Sequence, residues 1–175
     1  MSKPMYVVQS VIALSLGCTL IGCLDAGEDE PEIANAQQAI SHNEVKVREI
    51  YASVLEEGSD EIYMIAAQSQ NGPVNIIRPD ADPDYWRFDD PQTAHFMNQH
   101  VGTIVPDRSL GVSLWEQDGG PHFEIGTIGF ELNSSGKPKT FDTPTGQFLG
   151  INNDGLWVVR FTHGARYYVY FQIGQ

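Results

Sequence analysis

The sequence predicts an all-β protein: an antiparallel β-sandwich of about eight strands, after a signal peptide and a disordered acidic tether. Three observations predict it. From Glu44 onward the apolar residues recur with period two rather than 3.6. The alternating runs are rich in β-branched and aromatic residues, the composition of half-buried strands. Clusters of Gly, Asn, Asp and Ser interrupt them at strand-length intervals, as in a sandwich or barrel.

The strands are justified in order. In 44–54, Val45 and Val47 share one parity and Ile50, Ala52 and Val54 the other, so one extra residue bulges between them. Glu57-Gly58-Ser59-Asp60 turns the chain into 61–68, and Asn71-Gly72 turns it into 73–78. Asp90-Pro91 could cap a short helix through Asn98, because Asp suits the cap and Pro the first turn. Strands resume at 102–106 and at 110–117, where Leu110, Val112 and Leu114 alternate with Gly111, Ser113 and Trp115. In 123–132 the apolar face changes near Gly126 and Gly129, again the mark of a bulge. The run 139–142 leads to 145–151. Asp154-Gly155 favours the positive φ of a tight hairpin, so 145–151 should pair with the strand after it. The closing hairpin is 156–173, with Trp157, Val159 and Phe161 facing one way on its first arm and Tyr167, Val169, Phe171 and Ile173 on its second.

The first 23 residues carry one charged side chain, Lys3, and an apolar core that is too short and too interrupted for a spanning helix. This is the layout of a secretory leader. Leu20-Ile21-Gly22-Cys23 resembles the lipobox of bacterial lipoproteins, in which the cysteine is acylated and the chain is cut before it. The resemblance implies a signal peptide over 1–22, lipidation at Cys23 and a membrane anchor in the bacterial cell envelope. Leu24, standing where an aspartate would signal inner-membrane retention, implies the outer membrane. Each buried methylene of an acyl chain contributes about 0.8 kcal/mol, so two or more chains hold a protein at a bilayer. The tether is 23–43; its stretch from Leu24 to Ile40 has five acids, no base and no aromatic, and cannot bury a core. The domain is 44–175.

The chain has 23 Asp and Glu against ten Lys and Arg, a formal charge of −13. Such a chain is a poor partner for a phosphate backbone, which argues against nucleic acid as a ligand. It is equally poor at lying on anionic lipid without an anchor. Both cysteines, Cys18 and Cys23, belong to the leader region, so the domain has no disulfide and no thiol nucleophile.

No Gly-x-Ser-x-Gly, His-Glu-x-x-His or phosphate-loop pattern occurs. The histidines are 42, 95, 100, 122 and 163, and the spacing of His95 and His100 with no cysteine is weak as a zinc pattern. The carboxylates are more suggestive. Asp80, Asp82 and Asp84 match the first three ligand positions of an EF-hand, but Tyr85 replaces the turn glycine and Pro91 the closing glutamate. Glu116 and Asp118 follow Leu114 on its side of the strand, and Asp60-Glu61 stand at the tip of the expected first hairpin. Carboxylates gathered at one sandwich end make a hard-oxygen site for Ca²⁺.

GSDEIYMI, LWEQDGG and ARYYVYFQI resemble segments of small secreted C2-like β-domains, with acidic loops at one end of an eight-stranded sandwich. That resemblance implies calcium ligands among Asp60, Glu61, Asp82, Asp84, Asp89, Glu116 and Asp118. Pro121-His122-Phe123 depart from it, where further acids would be expected.

Trp86, Trp115, Tyr85 and Tyr168 are candidates for contacting a protein or glycan ligand, since exposed aromatics contribute contact area at low entropic cost; packing inside the domain is the competing role. The leading expectation is therefore a non-enzymatic binding module on a lipid anchor, with calcium as an accessory. The alternatives are a small glycosidase-like hydrolase using Glu116 with Asp118 or Asp89 with Asp90, and a structural envelope protein.

Overall fold

A computed structural model describes residues 43–69, 71–79, 83–117 and 121–174, which form eleven strands and no helix. In chain order these are β1 (Glu44–Val54), β2 (Asp60–Gln68), β3 (Val74–Ile77), β4 (Trp86–Phe88), β5 (Ala94–Thr103) and β6 (Leu110–Glu116). They continue with β7 (Phe123–Leu132), β8 (Pro138–Phe141), β9 (Gly146–Ile151), β10 (Trp157–His163) and β11 (Ala165–Ile173). One sheet has the order β5-β1-β11-β10-β9. The other runs β3-β2-β6-β7-β8, with β4 beside β3 along the same edge of β2. Every pairing is antiparallel, and the two sheets face each other as a sandwich.

Alternation builds the core. Val45, Val47, Ile50 and Ala52 of β1, and Tyr167, Val169 and Phe171 of β11, point inward and are fully buried. They meet Ile62 and Met64 of β2, Val112 and Leu114 of β6, and Ile125, Ile128 and Phe130 of β7. The rings of Phe130 and Phe171 cross edge to face at 5.3 Å. Burying each such aliphatic or aromatic side chain stabilises the fold by about 1.5–3 kcal/mol. With no disulfide among the described residues, this core and the sheet ladders hold the domain.

The two expected bulges are present. Against β11, Val47 pairs with Phe171 and Glu49 with Tyr170, so Arg48 is the extra residue; the register against β5 also shifts there. On β7, Gly126 pairs with Leu114 and Glu124 with Trp115, which leaves Ile125 as the extra one. β9 pairs with β10 across the Asn152–Gly155 turn, where Gly155 has φ +77°. β10 and β11 form the closing hairpin in unbroken register.

Four expectations are corrected. The strands number eleven, because short β4 was not foreseen and 139–142 and the closing hairpin resolve into separate strands. The helix from Asp90 to Asn98 does not form. Pro91 and Gln92 make a turn whose Gln92 N–H donates to Ala52 O at 2.7 Å, and β5 starts at Ala94. Only Gly102 and Thr103 of the expected strand 102–106 belong to β5; Ile104 lies beyond its end, buried. Finally, β1 and β2 are not a hairpin: β1 lies in one sheet and β2 in the other, so 55–59 crosses between layers.

The open sides of the sandwich are tied by side chains. Gln99 Nε2 donates to Arg78 O at 2.6 Å and Gln68 Nε2 to Thr103 O at 3.0 Å. On the opposite side Thr143 Oγ1 donates to Thr127 O at 2.6 Å. There Gly146 of β9 meets β7 so closely that a Cβ would stand 2.0 Å from Thr127 O.

Candidate functional site

Asp60 and Glu116 are the buried charged side chains among the described residues, at 0% and 1% exposure. Both lie at one end of the sandwich. Asp60 opens β2 and Glu116 closes β6, where it pairs with Ile62. Each sits on the inward parity of its strand, so the alternation that packs Ile62 and Leu114 also drives these carboxylates inside. Asp60 Oδ2 accepts the Tyr167 hydroxyl at 2.6 Å and the Glu56 N–H at 3.2 Å. Its Oδ1 accepts the Glu57 N–H at 3.3 Å. The carboxylate thus closes the 55–59 crossing and ties it to β11. Charge-assisted bonds of this kind offset the cost of taking a carboxylate out of water.

Tyr167 is fully buried against Phe88, whose ring crosses it at 5.3 Å. Burial pushes its hydroxyl far above the ordinary tyrosine value, the bond to Asp60 adds to this, and the charges of Asp60, Glu116 and Glu56 add further. The hydroxyl is a permanent proton donor in the folded state. Sequence reasoning did not single out Tyr167 as a partner of the acids. Its inward parity was readable, but its neighbours were not.

The other acids go elsewhere. Glu61 turns outward on β2 and pairs across the strands with Arg87 of β4. Asp84 forms an ion pair with Arg78, and Asp89 Oδ1 accepts Arg87 Nε–H at 2.7 Å. Asp82 and Asp118 lie outside the described residues, as does Cys23. The structure therefore brings Asp60 and Glu116 to the same end, while Asp84 and Asp89 are engaged by arginines. Among the described residues no group of three or more His, Cys, Asp or Glu could hold a metal ion.

The aromatic candidates divide in the same way. Trp86 is buried at 6% exposure and belongs to the core. Trp115 lies on the outer face of the second sheet, stacked on Tyr63 at 6.5 Å. Arg78 stands 5.3 Å from the Tyr63 ring centre, and Tyr63 OH and His122 Nδ1 are 2.7 Å apart. That cluster packs upon itself. Tyr168, by contrast, lies half-buried on the outer face of the first sheet, beside Tyr51 at 6.1 Å. The register runs Tyr51, Tyr168, Arg160 and Gln147 in one row across β1, β11, β10 and β9.

The next row holds Glu49, Tyr170 and Val158, with Phe96 of β5 opposite Glu49 and 79% exposed. Partial burial raises the Glu49 carboxyl above the usual range. Tyr170 is raised by burial first and by the neighbouring Glu49 charge second.

No family model matches the sequence, and no curated protein matches it. Among the described residues no helix is long and apolar enough to cross a membrane, a finding that does not bear on spans made of strands.

Proposed function

We propose that the chain is a membrane-anchored, exported lipoprotein whose β-sandwich is a non-enzymatic binding module. The outer face of the sheet β5-β1-β11-β10-β9 is its contact surface. One observation carries the binding surface: Tyr51 and Tyr168 stand side by side on that face, in line with Arg160, while Trp86 is spent on the core and Trp115 is stacked within its own cluster. Flat sheets bearing aromatics and arginines resemble the centres of protein recognition surfaces. The anchor is supported by the lipobox-like Leu20-Ile21-Gly22-Cys23.

Metabolic labelling with a clickable palmitate tests the anchor. Wild-type protein should take the label and fractionate with envelope lipids, and Cys23→Ser should do neither. An unlabelled wild type ends the lipoprotein reading. The surface is tested separately by Tyr168→Ala, which should abolish photo-crosslinking of the full chain to its partner in envelope preparations while leaving the melting midpoint nearly unchanged.

Calcium is an accessory to this reading. A site using Glu116 and the Asp118 that follows it would raise the melting midpoint in millimolar Ca²⁺, and Asp118→Ala would remove the rise. An indifferent wild type removes calcium from the proposal.

A further inference from the structure

The outer face of the first sheet differs in charge from the rest of the chain. Lys46, Arg48, Arg160 and Arg166 stand on its strands, four of the chain's ten Lys and Arg. Against them are Glu44 and Glu49, two of its 23 Asp and Glu. Glu44 is already engaged by Lys46 at 3.7 Å and His100 at 2.9 Å. A protein of formal charge −13 thus keeps one cationic, aromatic face.

The guanidinium groups are held in place. Arg48 Nη1 donates to Asn98 Oδ1 at 2.5 Å, and Arg160 Nη2 donates to Gln147 Oε1. The amides fix each fork on the sheet, which lowers the entropy lost when a planar acid binds. Between these cations lie tyrosine rings. Adjacent strands stand about 4.8 Å apart, so the row Tyr51, Tyr168, Arg160 sets two rings and then a charge side by side, with a step close to one pyranose.

From this we infer that the face binds an acidic polysaccharide, a glycan carrying uronate carboxylates: sugar rings lie on Tyr51 and Tyr168, and carboxylates meet Arg160 and Arg48. The inference rests on the binding-module reading and names its ligand class. A lipid headgroup layer fits less well. Polybasic lipid contacts gather Lys and Arg in one cluster, whereas here Arg48 and Arg160 stand on either side of the β11 tyrosines and are oriented by amides.

The test uses the full chain in detergent with polygalacturonate as probe, neutral dextran and phosphatidylglycerol vesicles as comparisons, and calorimetry as readout. Polygalacturonate should bind, and binding should weaken with added salt. Arg48→Ala with Arg160→Ala should lower affinity at least about tenfold, the scale of losing charge-assisted bonds. Tyr168→Ala should weaken it too, and Lys139→Ala on the opposite sheet should leave it unchanged. Equal binding of dextran, preference for the vesicles, or indifference to the arginine pair overturns the assignment. If polygalacturonate fails to bind while Tyr168→Ala still strips a crosslinked protein partner, the ligand class is wrong and the binding-module reading stands. If neither signal is seen, both fall.

Discussion

The Tyr167 hydroxyl donates to Asp60 Oδ2 at 2.6 Å inside the sandwich, joining strands of opposite sheets across 107 residues of sequence. Removing the donor leaves a buried carboxylate with two backbone N–H partners. Tyr167→Phe should therefore cost about 1–3 kcal/mol in urea unfolding, the penalty of an unmet buried polar group. Asp60→Ala should cost more, because it also frees the 55–59 crossing. If both variants unfold at the wild-type midpoint, this contact does not hold the layers together.

The same hydroxyl gives the protein an alkaline limit. Its folded pKa is raised, so the folded state keeps a proton that the unfolded chain releases above about pH 10. Stability from this group is complete below that pH and falls as pH rises beyond it. Absorbance titration near 295 nm should show one of the seven tyrosines silent until the protein unfolds. In Tyr167→Phe the remaining tyrosines should titrate without that late step, and the alkaline decline in stability should flatten.

Where β9 crosses β7, a methyl group has no room. Gly146→Ala would place its Cβ against the Thr127 carbonyl, and backbone on both sides must move. Overpacking of this kind costs about 1–3 kcal/mol or more. Thermal unfolding should show a lowered midpoint, whereas Gly155→Asn, at a positive φ that Asn tolerates, should be far milder. Equal effects would contradict the close approach.

Glu49 holds its proton more tightly in the folded state because partial burial disfavours its charge. By linkage, the contribution of this one group to stability rises as pH falls through the carboxylate range and is lower once both states are ionised. Glu49→Gln should be neutral to stabilising at pH 7, by less than about 1 kcal/mol given its solvent contact. The variant should also lose part of that pH slope. A clear destabilisation at pH 7 would mean that the charge has a favourable partner.

Much of the architecture was readable from parity. Tyr167, Val169 and Phe171 could be placed inward, and Trp115 and Tyr168 outward, because a strand's side chains alternate. Both bulges showed as parity changes. β5 was hidden for a physical reason: its inward positions hold His95, Met97 and Gln99, which do not look like core. His95 nonetheless sets its ring against Phe88 at 4.7 Å, and Gln99 bonds the opposite sheet. Three-residue β4 is too short for any period to show. The acidic end was legible only in part. Parity placed Glu116 on the side of Leu114, but face is not depth, and the hydroxyl that meets Asp60 lies near the far end of the chain.

β1 lies between β5 and β11, so the first strand of the domain finds one of its two neighbours only in the last. Long-range pairing of this sort closes slowly. Until the C-terminal residues have emerged, the central ladder of that sheet has no second rail. Under the proposed export, this order of strands would keep the sheet open, and so able to thread a narrow channel, until the last strand has followed.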